Sequence, residues 1–158
     1  MSNRDSKRAI AFARARHAAR GWVDAYRPVG KLHPAVCKQC GASEWHGRWS
    51  WESAPDLAPV TCPACARQRD GVPAHVVELR GALRPWWSEV RGLIANVAKA
   101  ETEQHPMERV MGLEVLDDRV IVPTTGLHMA RRLVAAIVRR FRRDVRVRFD
   151  DSVTSIEW

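Results

Sequence analysis

A chain of 158 residues with 46% hydrophobic and 28% charged residues is long enough for one domain, or for a small module joined to a larger one. No apolar run approaches the roughly 20 residues of a membrane helix, so a membrane partner is not expected. The net charge of +8 is unevenly spread: residues 1–31 carry eight Lys or Arg against two acids (+6), residues 32–126 ten against twelve (−2), and residues 127–158 eight against four (+4). Basic ends favour a polyanion, because neutralising phosphates releases counterions; an anionic lipid surface would satisfy the same charges.

The N-terminal stretch MSNRDSKRAIAFARARHAARG is charged throughout and lacks the apolar run and cleavage site of a secretory signal, so a cytoplasmic location is expected. Residues 1–31 read as a basic arm, mobile until bound, in which Arg14, Arg16 and Arg20 contribute to a nucleic-acid-binding surface.

Residues 32–75 hold all four cysteines, as Cys37-Lys-Gln-Cys40-Gly41 and Cys62-Pro63-Ala64-Cys65, separated by enough chain for a short hairpin. Each CxxC turn aims two sulfurs at one point, and two facing turns make a tetrahedral site for one structural zinc ion; Gly41 supplies the positive φ that such a knuckle commonly needs. A thioredoxin-like redox pair and an iron–sulfur centre are the competing readings. Four thiolates saturate a tetrahedral ion, so no catalysis is expected at the metal. His33 and His46 read as bystanders. Trp45, Trp49 and Trp51 either cover the metal and pack against a neighbour, the favoured reading, or stack on unpaired bases.

Residues 76–158 read as an α+β domain. Segment 67–81 predicts an exit turn and a short strand built on Val76, Val77 and Leu79. A helix is expected from about Arg84 to Gln104, its apolar face formed by Trp86, Val90, Leu93, Ile94 and Val97, and His105-Pro106 closes it. Residues 108–124 predict a hairpin around Asp117-Asp118. Glu101, Glu103, Glu108 and Glu114 pair with no base or nucleophile in the sequence and read as solvated surface.

Thr124 or Thr125 is the expected N-cap of a helix running from Leu127 to Arg143. At 100° per residue, Leu127, Ala130, Leu133, Val134, Ile137, Val138 and Phe141 form one face. The opposite face holds Arg131, Arg132, Arg139, Arg140, Arg142 and Arg143 with His128, and no acid lies between residues 126 and 143 to pair with them. A single-sign face of this density points to a nucleic-acid partner, against the plainer reading of a solvated arginine face whose stems cover the core. Beyond it, Val145, Val147 and Phe149 point inward and Arg146 and Arg148 outward on a strand; Asp150-Asp151-Ser152 turns the chain, and VTSIEW completes a hairpin. The expected class is therefore α+β: an N-terminal four-cysteine zinc ribbon, then an α-β-β-α-β-β layer with both helices on one face of a small sheet.

The residues Cys37-x-x-Cys40-Gly41-Ala42, Gly47-Arg48-Trp49-x-Trp51, Cys62-Pro63-x-Cys65-x-Arg67, His105-Pro106-Met107 and Thr124-Thr125-x-x-His128-x-Ala130-Arg131-Arg132 resemble those of small bacterial zinc-ribbon proteins. Those look like shortened relatives of the archaeal and eukaryotic adaptor that binds the large ribosomal subunit and serves its nuclear export. The resemblance covers about residues 26–158. It implies association with ribosomal RNA or a ribosomal subunit; with one ribbon's cysteines and no recognisable export signal, the export role does not carry over.

The expectation is a non-catalytic, ribosome- or rRNA-associated RNA-binding protein with no small-molecule substrate, its oligomeric state open. A small DNA-binding regulatory module is the first alternative, lowered by the scarcity of base-reading Asn or Gln on the arginine helix. A thiol redox protein is the second. A nucleophile–base arrangement and a glycine-rich phosphate loop are both missing from the sequence, which argues against an enzyme.

Overall fold

The computed structural model describes residues 24–26, 34–53, 56–142 and 144–158. Arg14, Arg16, Arg20 and Arg143 lie outside them, as does most of the N-terminal arm. The fold is α+β, with two small mixed sheets and three α-helices among the described residues. None of these helices is long and apolar enough to cross a membrane.

The first sheet belongs to the cysteine module and has the order β3-β2-β1-β4, formed by β1 (Ala35–Cys37), β2 (Ser43–Trp45), β3 (Arg48–Ser50) and β4 (Ala58–Val60). His46 and Gly47, at φ 51° and 83°, form the two-residue link between β2 and β3. Two consecutive positive φ values match the right-handed twist of a tight hairpin. β4 runs parallel to β1, with Cys37 opposite Val60, and so brings Cys62 alongside the first cysteine pair.

Helix α1 (Pro63–Asp70) follows at once, where the sequence reading expected only an exit turn. Cys62 is its N-cap, Pro63 opens it, and Gly71 at φ 64° closes it. This short helix was illegible as a periodic pattern because its buried side includes Arg67, whose guanidinium pairs with Asp24 and lies 4.5 Å from the centre of the Tyr26 ring.

The second sheet has the order β6-β7-β5-β9-β8, built from β5 (His75–Arg80), β6 (Glu114–Val115), β7 (Arg119–Thr124), β8 (Arg146–Phe149) and β9 (Val153–Glu157). Two helices connect it, α2 (Trp87–Gln104), entered through a 3₁₀ turn at Arg84–Trp86, and α3 (Leu127–Phe141). The expected α-β-β-α-β-β layer lacks its first member: β5 is the central strand, antiparallel to β7 and parallel to β9. The chain thus reads β-α-β-β-α-β-β, with β6 and β5 flanking β7 in a split β-α-β arrangement.

Both helices cover one face of this sheet, as expected. Val77, Leu79, Val120, Val122 and Ile156 from the strands meet Val90 and Ile94 of α2 and Met129, Leu133, Ile137 and Phe141 of α3. The opposite face buries only Val76, Ile121 and Val153 as apolar side chains, with Leu116 packed against them. Glu78 is buried there too, its carboxylate accepting from Arg80 Nη2 at 2.8 Å and Arg119 Nη1 at 3.1 Å.

Several finer expectations need correction. The N-cap of α3 is Gly126, with no side-chain cap from Thr124 or Thr125. Thr125 Oγ1 instead donates to Met107 O at 2.6 Å and accepts from Arg109 N at 2.8 Å. The helix start is capped from a distance: Glu108 Oε2 accepts from Met129 N at 2.7 Å, offsetting the positive end of the helix dipole. A Cβ on Gly126 would overlap that carboxylate, so glycine here makes room for the cap. Glu108 is therefore not solvated surface, and Glu101 is buried. Leu127, the first residue of α3, is exposed rather than packed inward, and so is Phe149, at 71%, on β8, the outermost strand at its edge of the sheet.

Candidate metal centre

Cys37 ends β1 and Cys40 lies in the turn after it, where Gly41 N donates to Cys37 O at 2.8 Å and Gly41 takes φ 78° as anticipated. Cys62 and Cys65 occupy the start of α1. The four Sγ atoms lie within 4.8 Å of one another, and all four thiols are free. Cys40 Sγ and Cys62 Sγ are 3.8 Å apart, which is about the edge of a tetrahedron with ~2.3 Å metal–sulfur bonds. The donor set therefore suits one metal ion, and the ligand residues read from the two CxxC motifs are those the fold brings together.

The surroundings favour thiolate at selected sulfurs. Burial works to raise the Cys37 thiol, but backbone N–H groups outweigh it, Cys62 N at 3.4 Å first among them, and hold it low, at about 6. Burial pushes Cys62 and Cys65 up. Cys62 Sγ does accept from Cys65 N at 3.4 Å, at the positive end of α1. A dication bound among them would lower all four.

The residue that sequence reading missed is Arg109. Its Nη2 donates to Cys40 Sγ at 3.1 Å and its Nη1 to Cys65 Sγ at 3.4 Å, so one guanidinium bridges both cysteine pairs. Its Nε donates to Pro106 O at 2.7 Å, and the group lies 5.9 Å from the centre of the Trp51 ring. Half-buried, it remains charged: burial works against the cation, and the Cys40 and Cys65 sulfurs raise its pKa further above the ordinary arginine range. A tetrathiolate around a dication carries a net charge of about −2, and a fixed guanidinium offsets part of it. Trp51 closes the same side, its Nε1 donating to Thr102 O of α2 at 2.8 Å, while Met107 and Trp49 pack against the cysteines. Trp49 thus packs as expected, Trp51 is 41% exposed and held by its hydrogen bond to Thr102, and Trp45 is 51% exposed, edge-on to His46.

The arginine face of α3 divides in two. Arg132 Nε pairs with Glu101, and Arg140 Nε lies 2.5 Å from Glu89 Oε1, so the expectation that these cations lack counter-charges fails for both. The acids come from α2, which packs antiparallel beside α3, where no reading along α3 alone could find them. His128, though exposed, likewise meets α2, its Nε2 2.9 Å from Glu101 Oε2. Burial works to raise the Glu101 carboxyl, but Arg132 and His128 outweigh it and hold it below the usual range. Arg131, Arg139 and Arg142 are exposed and make no ion pair among the described residues. At 100° per residue they fall at about 40°, 120° and 60° in that order, beside Arg132 at about 140° and on the same arc as His128, so the unpaired and paired cations are neighbours.

Neither a protein-family model, nor a curated protein, nor a solved structure matches the chain.

Proposed function

We propose that the chain is a zinc-ribbon protein that binds RNA without catalysing a reaction, in association with ribosomal RNA or a ribosomal subunit. Zinc is the ion that a closed tetrahedron of four cysteines favours, and such a site holds the fold rather than a substrate. The observation that carries the reading is the set Arg131, Arg139 and Arg142 on α3, exposed and without an ion pair among the described residues. Guanidiniums left unpaired on a rigid helix suit phosphate oxygens, which they meet bidentately. Exposed Trp45, directly opposite Arg48 across the hairpin, adds a surface on which an unpaired base stacks. No Asn or Gln lies within α3, which disfavours base reading in a DNA groove.

The test is cosedimentation with ribosomal particles for the double variant Arg131→Glu with Arg139→Glu. Binding is expected to fall at least about tenfold and the salt dependence of the wild-type interaction to flatten, while metal content and circular dichroism stay unchanged. Undiminished cosedimentation of a folded double variant overturns the reading.

A further inference from the structure

A second cluster of metal-ligating side chains lies at the junction of α2 and α3. Glu101 and His105 are one turn apart at the C-terminal end of α2, His105 being its C-cap, and that spacing places both on one side of the helix. His128 enters from the first turn of α3. One donor atom from each of the three lies within 4.8 Å of the others. Glu101 is buried and both histidines are exposed. The imidazoles stand 5.5 Å apart, nearly perpendicular, and form part of the wall of a cleft of about 420 Å³ whose other side is Gly47, Arg48 and Trp49 of the ribbon.

We propose that Glu101, His105 and His128 form a second metal site, separate from the four cysteines, that takes a divalent first-row transition ion such as zinc. A hydrogen-bond network explains Glu101, His128 and Arg132 as a clamp between the helices. It gives no part to His105, whose imidazole makes no hydrogen bond among the described residues although it faces the other two donors. An ion engages all three. Two imidazoles and a carboxylate are the nitrogen and oxygen donors that zinc and its neighbours accept.

Bonds of ~2.0–2.2 Å set neighbouring donors roughly 3–3.5 Å apart. The Glu101–His128 pair, at 2.9 Å, is already within about that range, and rotation of exposed rings closes the remainder. Arg132 occupies Glu101 Oε1, leaving Oε2 as the single donor and holding the carboxylate in orientation, as outer-shell partners of metal ligands do. Its charge also weakens attraction for a cation, so this site binds less tightly than the four thiolates. Three protein donors leave coordination positions open towards the cleft for water or an anionic oxygen.

Equilibrium dialysis of the full-length chain, free of any affinity tag, against micromolar zinc at neutral pH, with metal counted by mass spectrometry, tests the proposal. Two ions per chain are expected, one of them removed by brief chelator treatment. His105→Ala and His128→Ala should each weaken that labile ion at least about tenfold while keeping the other. His105→Ala alters only an exposed ring at a helix end, and circular dichroism verifies that it folds. Cobalt loaded into the labile site should lack the near-ultraviolet charge-transfer band of sulfur ligation. One ion per wild-type chain at saturation, or a second ion held with unchanged affinity by His105→Ala, overturns the proposal.

Discussion

The cysteine module and the α+β layer are ordered by different means. Buried together at the centre of the module are Cys37, Cys62, Ala64 and Cys65, with Cys40, Trp49 and Met107 against them; the metal ligands are themselves most of the core. The layer closes around fourteen buried residues from β5, β7, β9, α2, α3 and the turn at Leu83. So small a cluster cannot offset the chain entropy of 37 residues (34–70) by apolar burial. On the proposed reading a metal ion supplies what burial does not in this module, whereas the layer has its own apolar core. What joins the two includes Met107 against the cysteines and two polar contacts, Arg109 on the cysteine sulfurs and Trp51 on the carbonyl of Thr102.

This contrast is broken most sharply by removing the metal. Structural zinc contributes on the order of 10–16 kcal/mol to small modules of this type, so strong chelation or Cys62→Ser should abolish the order of the module. In ¹⁵N spectra the indole signals of Trp45, Trp49 and Trp51 should collapse while those of Trp86, Trp87 and Trp158 hold their dispersion. Simultaneous loss of both sets would show one cooperative unit instead of two.

The converse variant is Ile137→Ala, which opens a cavity in the core between α3 and the sheet. Loss of about 2–5 kcal/mol is expected in urea unfolding, with metal stoichiometry retained until the layer melts. A smaller effect is expected at the joint. Arg109→Met removes a charge-assisted donor from two sulfurs and should lower stability by about 1.5–3 kcal/mol. It should also loosen the thiolate-bound ion by roughly 10–100-fold in competition with a chromogenic chelator. An unchanged metal affinity would show that the guanidinium serves docking alone.

How far these features were legible in the sequence follows from the range of the interactions. Each CxxC brings its own sulfurs together within three residues, so the ligand set stood out without any knowledge of the sheet. The core faces of α2 and α3 were legible because helical periodicity repeats every turn, and Val90, Ile94, Leu133 and Ile137 are buried as that pattern requires. Helix α1 was hidden because it is short and buries an arginine, and β5 was legible as a strand but not as the central one, since pairing with β7 and β9 is a property of distant segments.

The sequence by itself determined which sulfurs come together as a site suited to a metal ion and which sides of the helices turn inward, because local backbone geometry and side-chain period settle both. Only the tertiary structure decided which charges remain free. Bringing α2 beside α3 gave Arg132 and Arg140 their carboxylates and left Arg131, Arg139 and Arg142 to solvent, and folding the segment after α2 back over the ribbon set Arg109 on sulfurs 69 and 44 residues away. Charge pairing acts through space over a few ångströms, so it follows the packing of elements and not their order along the chain.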